Sequence, residues 1–279
     1  MTGQGKLSAF FGLLLMIGIS IMIYPGFSQW INDKEQAKVI SSYEKETQEY
    51  PDEALIEMKE KAIHYNEKLA HGTIVMTDPF KEDAVNVGET EYEEALDTNN
   101  AGMMGILTIN AIDLKLPVYH GTSDEVLSKA VGHLQGTSLP IGGASTHSVL
   151  SAHTGMATAR LFTDLPKVVV GDIFILTVLG EDIAYKVYDI DVVLPDDIDS
   201  IIIQEGRDLC TLITCTPYGI NSHRLLVHGE RTDLPDEEIK DLINQGAKIN
   251  YSLWIFVIVE GLLFILLIVI WRKRKKQKR

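Results

Sequence analysis

The 279-residue chain is 46% hydrophobic and 23% charged, with 25 Lys and Arg against 39 Asp and Glu, a formal net charge of -14. The charge is unevenly placed: the last eight residues hold seven of the basic side chains, no carboxylate precedes Asp33, and residues 26–250 carry 17 basic against 38 acidic groups. A body with a net charge of -21 excludes nucleic-acid binding, and the length admits one or two domains with a substantial core.

After residues 1–6, which carry only Lys6, the segment 7–25 is apolar and contains the uncharged run Leu7 to Tyr24. That run is long enough for about 27 Å of helix. It is a signal peptide or an anchor; its length and the lack of a small-x-small site after Pro25 favour the anchor. Residues 26–70 form a helical juxtamembrane region, helix-prone and charged from Asp33. In it Leu55, Met58, Ala62, Tyr65 and Leu69 recur every three or four residues. Such a stripe predicts one apolar face packed on the main domain.

Residues 71–100 lack periodicity, are rich in Glu, Asp, Asn and Gly, and are long for a loop inside a compact domain. Loops of this length often cover sites. Asp78-Pro79-Phe80 sets a carboxylate and an aromatic ring two residues apart around a stiff proline, a pattern that also suits a plain turn.

Across 101–234 short β-like runs alternate with turns: Ile106–Asn110, Asp113–Tyr119, Ser148–Ala152, Asp172–Leu179, Ile183–Leu194, Leu209–Cys215 and Arg224–Gly229. Two short helical pieces, Asp124–Val131 and Thr158–Leu165, interrupt them. The fold class read from this pattern is mostly β, an antiparallel barrel or sandwich. Residues 235–250 read as a polar connector. An apolar segment, 251–271, follows with Glu260 inside it, and then the basic tail 272–279. Positive flanks stay cytoplasmic, so both termini are expected inside and residues 26–250 outside a plasma membrane.

The chemistry concentrates in Thr211 to Arg224. β-branched and apolar residues lead to Cys215, Pro217 and Gly219 break the run, and Leu225-Leu226-Val227 follow Arg224. Two adjacent strands would put Cys215 and Arg224 in one cleft, where a guanidinium favours a thiolate and can hold a developing oxyanion. The same spacing fits a buried structural cysteine with a surface arginine. Cys210 lies five residues before Cys215, about 16 Å away on a strand, which excludes a disulfide between them and assigns Cys210 to the core.

A thiol nucleophile needs a proton-transfer partner, and eight histidines are available: His64, His71, His120, His133, His147, His153, His223 and His228. His153 stands out by ending the run Val149-Leu150-Ser151-Ala152 and opening a Thr154-Gly155 turn. His64 and His71 are expected to face solvent. No His-x-x-x-His or Cys-x-x-Cys pair is present, so no metal or cofactor is expected.

The run Thr-Leu-Ile-Thr-Cys, with Arg224 nine residues after the cysteine, resembles the signature of the sortases, membrane-anchored cysteine transpeptidases of Gram-positive cell surfaces. The likeness extends through Val118–Thr122, Gly132–Leu134, Ser138–Pro140 and Leu161–Leu165, covering roughly residues 101–232. It implies a closed sortase barrel with a transmembrane helix at each end of the chain. It also implies Cys215 as nucleophile, His153 as general acid/base, Arg224 as clamp and oxyanion stabiliser, and Thr214 and Tyr218 as substrate contacts.

The Pro217–Asn221 turn, the Asp78-Pro79-Phe80 loop and the C-terminal span with its basic tail resemble the pilus-type, or class C, sortases. In that class such a loop is a lid, its aspartate facing the arginine and its ring over the cysteine. The implied substrates are pilin or surface proteins with a Leu-Pro-x-Thr-Gly-like signal, the acceptor a pilin lysine, and hydrolysis a side activity. A housekeeping sortase that joins proteins to a cell-wall precursor is the alternative within the family, and a non-enzymatic membrane-tethered scaffold the alternative outside it.

Overall fold

In a computed structural model of the protein, residues 3–71, 80, 90–98, 101–156, 158–197, 199–245 and 261 are described. Residues Ser28–Ala247 form one compact unit, and the chain up to Phe27 belongs to a second. Helix α1 runs from Gly3 to Glu49 with Pro25 inside it. Among the described residues this is the one helix long and apolar enough to cross a membrane. Apart from residue 261, the expected second span, 251–271, with Glu260, and the basic tail lie outside the described residues.

Pro51 ends the first helical region, and α2 spans Asp52–His71. Its apolar stripe packs as expected: Ala62 and Tyr65 are buried in the main core, with Leu55, Met58 and Leu69 against them. Asn66 fixes the docking by donating to the Leu139 carbonyl (3.1 Å) and accepting from the Leu139 amide (2.7 Å). The last part of α1 packs Ile40 and Tyr43 on Met103 and Ile106, with the Tyr43 hydroxyl donating to the Met104 carbonyl. A short helix, α3, covers Thr90–Glu93.

Eight strands close into a barrel: β1 Met103–Ile109, β2 Leu114–His120, β3 Val131–His133, β4 Thr146–Ser151, β5 Ile173–Val178, β6 Glu181–Val193, β7 Asp208–Thr216 and β8 His223–Arg231. Their order is β1-β2-β3-β4-β7-β8-β6-β5. Alternation of side chains across each strand gives an interior of large apolar residues such as Leu107, Leu150, Phe174, Tyr185, Leu212 and Val227. Closure removes the exposed edges that an open sheet would carry.

The mostly antiparallel pattern holds, with two parallel pairings, β2 with β3 and β4 with β7. β3 was not expected, because a three-residue strand is too short to show periodicity. Its Gly132 has a physical reason: a Cβ there would lie 2.3 Å from the Gly121 carbonyl oxygen. The predicted helix Asp124–Val131 is only a single-turn α4, Asp124–Leu127, because Val131 is taken by β3. The piece placed at Thr158–Leu165 is a 3-10 segment, Leu161–Lys167.

Within the polar connector, α5 spans Asp236–Gln245. Its acidic and lysine side chains hid an apolar face, Ile239, Leu242 and Ile243, which packs near Ile173, Ile175 and Ala184 of β5 and β6.

Candidate active site

The cleft is built where β7 and β8 meet. Their antiparallel register makes Cys215 and Arg224 direct partners across the ladder. Both are 9% exposed, so the pair sits in a largely water-excluded place where charge interactions are strengthened. The turn and the start of β8 hold the arginine: Nη1 donates to the carbonyls of Asn221 and His223, each at 3.1 Å. Neither cysteine forms a disulfide, and Cys210 is fully buried with its thiol pKa pushed well up by burial, as a core residue should be.

His153 arrives from the next strand over. β4 runs parallel to β7 with Ser151 opposite Ile213, and the Ala152 amide donates to the Ile213 carbonyl at 3.2 Å. Continuing that register by two residues brings His153 level with Cys215. The His153 carbonyl accepts from the Phe162 amide (3.1 Å), which ties the histidine backbone to the 3-10 segment. Burial pushes the half-buried imidazole below its ordinary pKa, and the Asp124 carboxylate partly offsets this.

Thr214 was expected, with Tyr218, to contact substrate. It is wholly buried, and its hydroxyl donates to the Ala152 carbonyl at 2.7 Å. Alternation along β7 turns Thr214 away from the face of Cys215, and its bond is to the residue that precedes His153. Tyr218 is 69% exposed at the rim. Its ring lies over Gly155, where a Cβ would come within 3.0 Å of Cε2 and where φ is +75°.

Of the expected lid residues, Asp78 and Pro79 lie outside the described residues. Phe80 is described: its ring is 5.6 Å from that of His153, and the Arg224 guanidinium carbon is 5.1 Å from its centroid. It also packs on Leu134, Val149, Ile201, Ile213 and Leu226.

The other histidines separate clearly. His133 and His147 are wholly buried and each is pushed down to about 4 by burial. His133 meets the Tyr92 hydroxyl and the Ser138 carbonyl. His120 lies against the carbonyls of Gly102 and Ala95, and His223 against Ser222. His64 is exposed as expected, and the His71 side chain lies outside the described residues. Among the described residues no three His, Cys, Asp or Glu side chains gather as a metal site requires. A row formed by His147, Thr211 and His228 was not foreseen; the only sequence signal for it is that Thr211 shares the alternation of Cys215.

A family model for the sortase domain matches residues 107–232. Among curated proteins the chain is similar to sortase A of Streptococcus agalactiae serotype III (strain NEM316), 26% identical over 137 residues, covering 48% of this chain and 54% of the relative. It is also similar to sortase D of Bacillus subtilis (strain 168), 30% identical over 130 residues, covering 46% of this chain and 63% of the relative. The matches thus span between about half and just under two thirds of those proteins.

Solved structures cover more. Sortase C of Streptococcus pneumoniae is 41% identical with a TM-score of 0.65, covering 71% of this chain and 97% of that one. Sortase C-1 of Actinomyces oris is 44% identical with a TM-score of 0.61, covering 64% of this chain and 99% of that one. For sortase C1 of Streptococcus agalactiae the values are 39% and 0.65, covering 71% and 100%.

Proposed function

The chain belongs to the sortase family, and from that premise we propose that it is a cysteine transpeptidase of the pilus-building class. The observation that carries this reading is the rung on which Cys215 faces Arg224, with His153 alongside and the Phe80 ring against both His153 and Arg224. The structural neighbours are class C sortases, and the pneumococcal protein among them is described for its pilin substrate specificity.

In the proposed reaction the Cys215 thiolate attacks the threonine carbonyl carbon of a Leu-Pro-x-Thr-Gly-like signal. The Arg224 guanidinium, with its fixed fork of donors, stabilises the oxyanion. The C–N bond then breaks, the His153 imidazolium gives its proton to the departing glycine amine, and a thioester remains. A lysine amine of a second pilin attacks the thioester, the C–S bond breaks, and His153 takes the amine proton. The product is an isopeptide, and water in place of the amine gives hydrolysis. The N-terminal helix anchors the enzyme in the plasma membrane, with the barrel outside the cell.

The test is to offer the detergent-solubilised full chain a sorting peptide with either a pilin lysine donor or a cell-wall-precursor amine, reading products by mass. The proposal expects the lysine product. A product with the precursor amine alone would instead make it a housekeeping sortase.

A further inference from the structure

β4, β7 and β8 share a second buried polar row that the proposed reaction does not use. Thr211 lies on the face of β7 that also carries Ile213 and Cys215, His228 shares a face of β8 with Leu226 and Arg224, and His147 shares a face of β4 with Val149. All three polar residues are buried. His147 Nδ1 is 3.0 Å from the Ile202 carbonyl oxygen, and its Nε2 is 2.7 Å from Thr211 Oγ1. Thr211 Oγ1 is in turn 2.9 Å from His228 Nδ1.

The proton positions in this row follow from the partners. With its pKa pushed down to about 4 by burial, His147 is neutral at pH 7 and carries one ring proton. A carbonyl oxygen only accepts, so that proton is on Nδ1 and is donated to Ile202. Nε2 must then accept the Thr211 hydroxyl proton, which leaves the threonine oxygen only an acceptor role towards His228 Nδ1; the other ring nitrogen of His228, Nε2, lies 3.5 Å from Asp191 Oδ2. Reversing the row would turn a bare Nδ1 towards the carbonyl of Ile202.

The residue held this way belongs to the connection between β6 and β7. Its neighbour Ile201 is buried against Leu134, Val149, Ile213 and Leu226. Ile213 and Leu226 are partners across the β7–β8 ladder, two residues along from Cys215 and Arg224 on the same faces. Ile201 therefore covers the ladder beside the reactive pair. The end of the connection is held separately by Arg207, which donates to both carboxylate oxygens of Glu230 at 2.9 and 2.8 Å.

We propose that Thr211 is a positioning residue for the cleft wall: its hydroxyl locks His147 in the tautomer that holds Ile202, and this seats Ile201 beside the rung of Cys215 and Arg224. The inference rests on the transpeptidase reading of that cleft. Thr211→Val keeps the shape and the strand preference but removes the one group that accepts from one histidine and donates to the other. Thr211→Ser retains it.

The test uses the detergent-solubilised full chain and two readouts: amide exchange over residues 199–206 by mass spectrometry, and cleavage of a Leu-Pro-x-Thr-Gly peptide. Thr211→Val is expected to speed exchange in that segment about tenfold and raise KM about fivefold, with kcat within about twofold, and Thr211→Ser to restore both. His147→Phe, which removes both ring nitrogens, should behave as Thr211→Val does and serves if that variant fails to fold. Unchanged exchange and KM, or equal loosening of β7 and β8, would overturn the proposal. If the parent chain cleaves no peptide, the transpeptidase reading fails, and the exchange result alone decides whether the row holds the wall.

Discussion

Cys215 and Arg224 are direct partners across the β7–β8 ladder, and two carbonyls, Asn221 of the joining loop and His223 at the start of β8, hold the guanidinium in place. Backbone carbonyls therefore help to set the arginine geometry at this rung. Arg224→Lys keeps the charge and loses the fork of donors. Turnover of a sorting peptide should fall roughly 100- to 1,000-fold, as for loss of an oxyanion donor. Alkylation of Cys215 by iodoacetamide should survive, because the thiol stays where the strand puts it.

Phe80 covers the rung, lying against His153, Arg224 and the apolar cluster beside them. Losing even half the burial energy of a phenylalanine, about 1.4 kcal/mol, corresponds to about tenfold in exposure of what it covers. Phe80→Ala should raise the rate of Cys215 labelling by about that factor. Cys210 is fully buried and provides the control: Cys215→Ala should show no labelling in the same interval.

Stability should decline on acidification through the buried histidines. His133 and His147 are each pushed down to about 4 in the folded chain, so the unfolded state, with pKa near 6.5, takes up protons first. Their contribution is complete above about pH 6.5 and is lost as pH falls towards 4, about 3 kcal/mol for each histidine. Burial lowers His228 as well and adds in the same direction. Urea midpoints measured from pH 7.5 to 4.5 should fall, and His133→Gln should flatten that dependence.

Gly155, two residues after His153, combines a φ of +75° with a Tyr218 ring so near that a Cβ would lie 3.0 Å from Cε2, tighter than ordinary contact. Gly155→Ala should cost about 1 kcal/mol from backbone strain alone. It should also displace the ring and slow turnover. Adding Tyr218→Ala relieves the contact but not the dihedral, so the urea midpoint should recover only in part.

Much of this was legible in the chain. The alternation of β-branched residues marks seven of the strands, and the apolar stripe of α2 identifies the face that docks. The Cys215–Arg224 spacing suits a short turn between paired strands, and His153 could be singled out as the end of a β-run. Other features depend on partners distant in sequence. β3 exists because Gly132 lets two segments approach closely, and the Thr214 hydroxyl finds the Ala152 carbonyl because β4 lies beside β7. The face of α5 is short enough to be hidden among acidic residues, and the His147–Thr211–His228 row joins three strands that no local pattern connects.

In the proposed reaction Cys215 forms a thioester with the acyl part of a sorting signal. The most direct measurement is the intact mass of the detergent-solubilised chain after brief mixing with a Leu-Pro-x-Thr-Gly peptide and acid quenching. The account predicts an added mass equal to the peptide up to its threonine, sensitive to hydroxylamine and absent in Cys215→Ala. Peptide cleavage that persists in Cys215→Ala, or an adduct that survives hydroxylamine, would contradict it.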